Sequence, residues 1–365
     1  MNNIYFGKNV VITGHTGFKG SWLTTWLKML GANVIGIALD PYTDPSNFTV
    51  CQLADKIADH RINISNFNEI QKIIKDSNPD FLFHLAAQAI VKKSYENPIE
   101  TWETNTIGTL NVLEGLRKLD KKCIAVIITS DKCYNNVEWT WGYRENDTLG
   151  GSDPYSASKG SAELVVKSHI QSFFPKETSL VRIASARAGN VIGGGDWSPD
   201  RIVPDCIKAW SLSETVKLRN PKATRPWQHV LEPLSGYLSL AAEMLNNKEL
   251  HGEAFNFGPQ LQKDKSVLEL VKAIKQNWKD INFEDISDFY NGPYESKLLK
   301  LNCDKALNLL NWHAILDFDE TVSYTAEWYK TYYESKSNMY LFTTKQIKDY
   351  TLKAKSNRMK WSHYF

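Results

Sequence analysis

At 365 residues the chain is too long for one small core, and two domains or lobes are expected. Apolar residues make up 42% and charged residues 23%, as in ordinary soluble globular proteins, and a net charge of +2 gives no field favouring nucleic acid or a membrane. No apolar run approaches the roughly 18 residues of a membrane helix. The start, "MNNIYFGKN", lacks the apolar core of a signal peptide. The five cysteines, Cys51, Cys123, Cys133, Cys206 and Cys303, form no close pair. Neither a metal site nor a disulfide framework is expected, and a reducing cytoplasm fits best.

Strand and helix signals alternate through the first half. "NVVIT" (9–13) reads as a buried strand, followed by glycines and a helical pattern in "SWLTTWLKML" (21–30). Strands follow at "NVIGIAL" (33–39) and "FLFHLAA" (81–87), then a helix through "NTIGTLNVLEGLRKL" (105–119). "CIAVIITS" (123–130) is a further strand, "YSASKGSAELVVKSHIQSFF" (155–174) a long helix, and "SLVRIASA" (179–186) a strand again. Short apolar runs alternating with helices predict a doubly wound, Rossmann-type α/β domain with a parallel sheet. From Gly189 onward the texture is irregular, with helical patterns returning at 231–245 and 266–278. The expected organisation is a dinucleotide-binding domain over 1–188 plus returning segments near 228–258. A smaller mixed α/β substrate lobe takes 189–227 and 259–335, and a solvated or partner-facing tail takes 336–365. Most of the twelve tryptophans are expected in the core or at interfaces.

"TGHTGFKG" (13–20) ends a predicted strand and opens a predicted helix. Gly14 permits a tight turn, Gly17 a close approach of backbone to a pyrophosphate, and Gly20 close helix–strand packing. A structural turn has the same letters, but the strand–turn–helix setting favours a dinucleotide. Asp40, ending the second strand, suits a ribose diol and repels a 2′-phosphate, which favours NAD over NADP. A turn aspartate before Pro41 is the competing reading.

Tyr155 and Lys159, at i and i+4, share one helix face with Cβ atoms about 5–6 Å apart. A free phenol has a pKa of about 10. A neighbouring ammonium favours the phenolate, which can take a hydroxyl proton as hydride leaves. Ser130 ends its strand at the ligand-binding edge of the sheet, where it can orient the tyrosine. Asp131 and Lys132 follow it directly. A surface ion pair capping the strand is the bland reading of that pair. Arg201, Arg219 and Arg225 carry forks that match phosphate oxygens, with structural roles expected for one or two of them. Trp197 or Trp227 can stack on a pyrimidine, with core packing equally open.

With these residues assembled, the chain resembles the extended short-chain dehydrogenase/reductase family, and within it the nucleotide-sugar 4,6-dehydratases, from about residue 7 to about residue 330. The resemblance is carried by "GHTGFKGSWL", "FHLAAQ", "TSDKCYNN", "WGYREND", "DPYSASKG", "DRIVPD" and "NFGP", and "SDK", "GNVIGGGDW" and "RPWQHV" point to the branch acting on CDP-D-glucose. It implies NAD contacts at Gly14, Gly17, Phe18, Gly20, Ala86 and Ala87, with Asn63 and Ile64 near adenine. Asn63 stands where many relatives carry an aspartate. It implies sugar-nucleotide contacts at Asn190, Arg201, Arg219, Arg225 and His229. It also implies a homodimer through a four-helix bundle and a place in deoxysugar supply for surface polysaccharide.

The chemistry implied by the resemblance accounts for the Ser130–Asp131–Lys132 trio. Oxidising C4 makes the C5 proton acidic, the C6 hydroxyl then leaves as water, and hydride returns to C6. Tyr155 would be the C4 base, supported by Lys159 and Ser130. Asp131 would be the C6 acid, which requires a carboxyl kept protonated by poor solvation. Lys132 would be the C5 base, which must be neutral, as burial beside another cation favours. A 4-epimerase needs neither Asp131 nor Lys132. That enzyme and a non-catalytic dinucleotide-binding module are the rival readings.

Overall fold

Seven strands form one all-parallel sheet: β1 (Asn9–Thr13), β2 (Asn33–Ala38), β3 (Ala58–Arg61), β4 (Phe81–His84), β5 (Cys123–Ile128), β6 (Val181–Ala188) and β7 (Ala254–Phe257). Their order is β7-β6-β5-β4-β1-β2-β3. The chain runs outward from β1 to β3, then crosses back to β4 on the other side of β1. The reversal opens a crevice beyond the C-terminal ends of β1 and β4, where ligands of open α/β sheets bind. Thr13 pairs with His84 in register at that point. Every residue of β4 and β5 is buried, as expected for central strands covered on both faces. β7 comes from a late segment and lies beside β6.

This computed structural model describes residues 3–260, 265–278, 282–287, 298–335 and 337–364. Parts of the expected lobe at 261–264, 279–281 and 288–297, and tail residues 336 and 365, lie outside the described residues.

One face of the sheet packs on the helices Phe67–Ser77, Gly108–Leu116 and Pro154–Phe173 through Ile70, Ile74, Val112, Leu116 and Val166. The other packs on α1 (Phe18–Met29) and the helix Leu231–Asn246, and this core continues into the lobe without a break. The lobe holds the helices Ile202–Ser211 and Val267–Lys275 and short strand pairs such as Val216–Leu218 with Phe283–Asp285.

Three expectations are corrected. The strand anticipated through residue 87 stops at His84, because Leu85 N and Ala86 N turn to bond Thr13 O and Oγ1 at 3.0 and 3.2 Å. The helix anticipated from residue 105 begins at Pro98 and passes through a wider turn at Glu103–Ile107. The C-terminal segment is not a solvated tail. Its helix Met339–Ser356 buries Met339, Ile347, Tyr350 and Ala354, and Tyr350 and Trp361 pack against Trp26 of α1 at 5.9 and 6.0 Å. Its apolar positions form a face that only the tertiary fold covers.

Candidate active site

The glycine loop is shaped by close backbone contact. Gly14 has φ +77°, and a Cβ there would lie 2.6 Å from Ala86 N; a Cβ on Gly20 would lie 2.0 Å from Gly14 O. Both positions need glycine for reasons of space, and Gly14 also for conformation. Gly17 caps α1 without any side-chain hydrogen bond, so the first-turn amides at Phe18, Lys19 and Gly20 face outward unsatisfied. That combination fits the pyrophosphate of a dinucleotide. Ala86 and Ala87 stand half-buried beside the loop. Asp40 projects into solvent 3.6 Å from Arg61, and Asn63 is exposed with its Oδ1 taken by Ser65 N at 3.0 Å. The Ile64 side chain is buried against Gly108.

Four elements converge on the reacting face. Ser130 ends the β5 loop and caps the short turn Asp131–Cys133 through Lys132 N at 3.2 Å. Its Oγ donates to Asp131 Oδ1 at 2.9 Å, and the same hydroxyl draws down the Tyr155 phenol. Tyr155 lies in the first turn of the helix Pro154–Phe173, whose start is capped by Asp153. Asp131 packs against the backbone of residue 189, where any Cβ would come within 2.8 Å of Oδ2. Arg201 stands at the start of the helix Ile202–Ser211, held by Asp196 at 2.8 Å.

Burial sets the electrostatics. Desolvation pushes the Asp131 carboxyl above the usual carboxylate range, against the opposing pull of Lys132, Ser130 and Lys19. Desolvation pushes the Tyr155 phenol up to about 12, although Ser130 and Arg201 draw it down. It lowers the Lys159 ammonium to about 8, assisted by the charge of Lys19. The bland reading of Asp131 and Lys132 as a surface pair is set aside: Asp131 is 5% exposed and no close ion pair joins the two.

Several expected residues are placed elsewhere. His229 is 0% exposed, wedged edge-on between Trp22 and Tyr324 at 5.8 and 5.5 Å, and burial lowers it to about 3. Enclosed by the core, the ring reaches no ligand space, so the expected sugar-nucleotide contact is corrected to a packing role. Trp197 and Trp227 are also core: Trp197 packs on Trp328 and Tyr332, and Trp227 donates to Lys265 O at 3.0 Å. Arg219 is engaged by Asp200 and Asp205 at 3.0 and 3.5 Å, and Arg225 donates to Thr224 O at 2.8 Å. The charge of Arg201 acts on Tyr155. Asn190 is half-buried next to Gly189, its carbonyl bonded by Gln228 N at 3.2 Å. Lys132 is half-buried rather than buried. The amine buried beside another cation is Lys159, which is 4% exposed and feels the charge of Lys19, whereas Lys19, inside "GFKG", is half-buried like Lys132.

The sequence profile of the GDP-mannose 4,6 dehydratase family matches residues 11–325. The chain belongs to that family. It is 44% identical over 351 residues to the CDP-glucose 4,6-dehydratase of Salmonella typhimurium, covering 95% of this chain and 97% of that protein. It is 26% identical to the CDP-paratose 2-epimerase of Salmonella typhi, covering 87% of this chain and 98% of that one. Among solved structures, the dTDP-glucose 4,6-dehydratase of Bacillus anthracis in complex with NAD superposes with a TM-score of 0.72 at 22% identity, covering 90% of this chain and 98% of that one. At that identity the likeness speaks for the fold alone. Among the described residues no helix is long and apolar enough to cross a membrane, and no group of three acidic, histidine or cysteine side chains is placed to hold a metal ion.

Proposed function

We propose that this family member dehydrates CDP-D-glucose to CDP-4-dehydro-6-deoxy-D-glucose. The observation that carries the reading is the Asp131 carboxyl, buried beside Ser130 and Tyr155 with its proton affinity raised. It is an acid where oxidation or epimerisation at C4 needs none. The 44% relative supports cytidine as the base and glucose as the sugar.

Gly14, Gly17, Gly20 and the first-turn amides of α1 would hold the NAD pyrophosphate, with Asp40 near the adenosine ribose and Ala86 and Ala87 under the middle of the cofactor. When bound, NAD supplies the hydride acceptor for C4, the hydride donor for C6 and a positive ring near the phenol. Tyr155 takes the C4 hydroxyl proton, helped by the Ser130 hydroxyl and the nearby positive charge of Arg201, with Lys159 one turn along the same helix. Lys132, on the turn bearing Asp131, removes the C5 proton. Asp131 delivers its proton to the C6 hydroxyl, which departs as water. Arg201 is the arginine assigned to the diphosphate, since its fork suits that group and its charge acts on Tyr155.

Free thiols at all five cysteines support a cytoplasmic setting, and the product class supports a role in deoxysugar supply for surface polysaccharide. Exposed apolar side chains on the adjacent helices, Ile99, Trp102, Ile107, Leu164 and Phe173, support a homodimer closing a four-helix bundle.

The test is incubation of purified protein with CDP-, UDP-, GDP- and dTDP-glucose. The expected product is the CDP sugar lighter by one water. A 4-epimer of unchanged mass, or no turnover with any of the four, would overturn the reading.

A further inference from the structure

Asp131 and Lys132 sit on a turn of three residues, Asp131–Cys133. So short a turn makes few hydrogen bonds of its own, and its place depends on what holds its ends. Ser130 caps the start through Lys132 N at 3.2 Å. Tyr134 ends the turn, and its buried side chain joins a continuous chain of hydrogen bonds. Its Oη accepts from Arg187 Nη1 at 2.7 Å and donates to Asn256 Oδ1 at 2.8 Å. Its ring stacks on Tyr143, with centroids 5.2 Å apart.

Both partners of that hydroxyl are buried and fixed from elsewhere. Arg187, on β6, directs Nε and Nη2 to Glu163 of the tyrosine helix and shares Nη1 with Glu145 O at 2.9 Å. Asn256, on β7, donates from its backbone to Glu145 Oε1 at 2.8 Å. Its Nδ2 donates to Tyr143 O at 2.9 Å and to Asn302 O at 3.1 Å. A planar guanidinium and a planar amide, each held by its other bonds, define one place for a hydroxyl between them. We propose that Tyr134 is a positioning residue for water elimination, its hydroxyl pinning the end of the turn between Arg187 and Asn256 so that Asp131 and Lys132 meet C6 and C5 of the sugar.

The inference rests on the dehydratase reading. C4 oxidation uses Tyr155 and Lys159, whose helix is tied to β6 through Glu163 and Arg187 without help from Tyr134. Elimination uses the two residues of the turn. Loss of the Tyr134 hydroxyl therefore acts on the second step and spares the first. A misplacement of about 1 Å is enough to slow such a step by about 100-fold. The same chain ties the turn to the late segment around Leu301. Cys133, Tyr134, Tyr143 and Leu301 form one buried cluster, in which Tyr143 N bonds Lys300 O at 2.8 Å and Asn302 N bonds Tyr143 O at 2.9 Å.

The experiment compares wild-type holoenzyme with Tyr134→Phe, which keeps the ring and removes only the hydroxyl, in single turnovers of CDP-glucose and at steady state. Reduced nicotinamide, read by absorbance, is expected to form within about twofold of the wild-type rate and to persist, while water loss, read by mass, falls about tenfold or more at unchanged KM. Where Tyr134→Phe does not fold, Asn256→Ala withdraws the acceptor on the other side and is expected to show the same split. Independently of turnover, a crystal structure of either variant is expected to show Asp131 displaced by about 1 Å relative to Tyr155. Oxidation and elimination falling in parallel, a lower urea midpoint with both steps intact, or an unmoved turn overturns this inference alone. Absence of wild-type turnover with any sugar nucleotide sinks the dehydratase reading instead, and the displacement of the turn then decides the inference.

Discussion

Glu163 and Arg187 form a two-point ion pair beneath the active site, with Arg187 Nε on Oε1 at 3.0 Å and Nη2 on Oε2 at 2.8 Å. Both side chains are 4% exposed. Glu163 lies one turn beyond Lys159, and Arg187 is on β6, so the pair ties the tyrosine helix to the sheet. Thr129 and Ser185 satisfy the remaining lone pairs of the carboxylate, and Arg187 also donates to Tyr134 Oη at 2.7 Å. Removing one partner strands a buried charge. Arg187→Met is expected to destabilise the fold by about 3–5 kcal/mol, read as a lower urea midpoint. A shift under about 1 kcal/mol would show that the pair does not brace the helix.

The glycine loop predicts a separation between folding and nucleotide retention. Gly20→Ala places a Cβ 2.0 Å from Gly14 O, so the loop must open while the sheet beneath it remains intact. The expected result is a folded protein that releases no NAD on denaturation, where wild type releases about one equivalent per chain. Retained nucleotide in Gly20→Ala would place the cofactor elsewhere.

Asp131 and Lys132 should fail at different steps. In Lys132→Met, C4 oxidation persists, whereas C5 deuterium exchange and product both fall by about 100-fold or more, the range for loss of a general base. In Asp131→Asn, exchange at C5 continues while water loss collapses. Wild-type turnover by Lys132→Met would remove that amine from the mechanism.

Buried histidines predict acid lability. His84, bridging Thr13 Oγ1 at 2.7 Å and Thr109 Oγ1 at 3.0 Å, and His229 are both lowered from 6.5 to about 3 by burial. The unfolded chain takes up these protons near 6.5 and the folded chain only near 3. Their stabilising contribution is therefore full above 6.5 and is lost as pH falls through that window. Glu232 acts in the opposite sense. Desolvation raises it from 4.5 to about 7, so its contribution is present below 4.5 and is lost as pH rises through 7. Urea midpoints should fall on both sides of a maximum near neutrality, and His229→Phe should flatten the acid limb. An acid limb unaffected by that substitution would remove His229 as its source.

The same Glu232 anchors the C-terminal helix. It accepts from Leu316 N and Tyr350 Oη, both at 2.7 Å, and from Ile315 N at 3.0 Å. Tyr350→Phe removes one donor to a buried carboxyl and is expected to cost about 1–3 kcal/mol. Because Tyr350 also packs on Trp26 of α1, the loss should appear together with weaker NAD retention. Stability lost with unchanged retention would show that the C-terminal helix does not support the cofactor loop.

Much of the domain was legible in the chain because its signals are local. Buried parallel strands read as short apolar runs, and "NVVIT" matches β1 to the residue. A helix repeat places Tyr155 and Lys159 on one face, and a glycine loop between strand and helix has few other uses. Less visible were β3, whose "ADHR" carries no apolar run at the sheet edge, and the helix Phe318–Glu334, whose amphipathic face is diluted by threonine and tyrosine.

The amino-acid order by itself determined the strands of the sheet and the glycine loop, because backbone geometry and side-chain period act between near neighbours, while the roles proposed for Ser130, Asp131 and Lys132 rest on the family resemblance. Only the tertiary structure decided which charges meet. It sent His229 into the core, folded the lysine-bearing C-terminus onto α1 and joined Glu163 to Arg187. Burial and Coulomb interaction depend on distances through space, and residues 163 and 187 meet only when the helix Pro154–Phe173 packs on the sheet that holds β6.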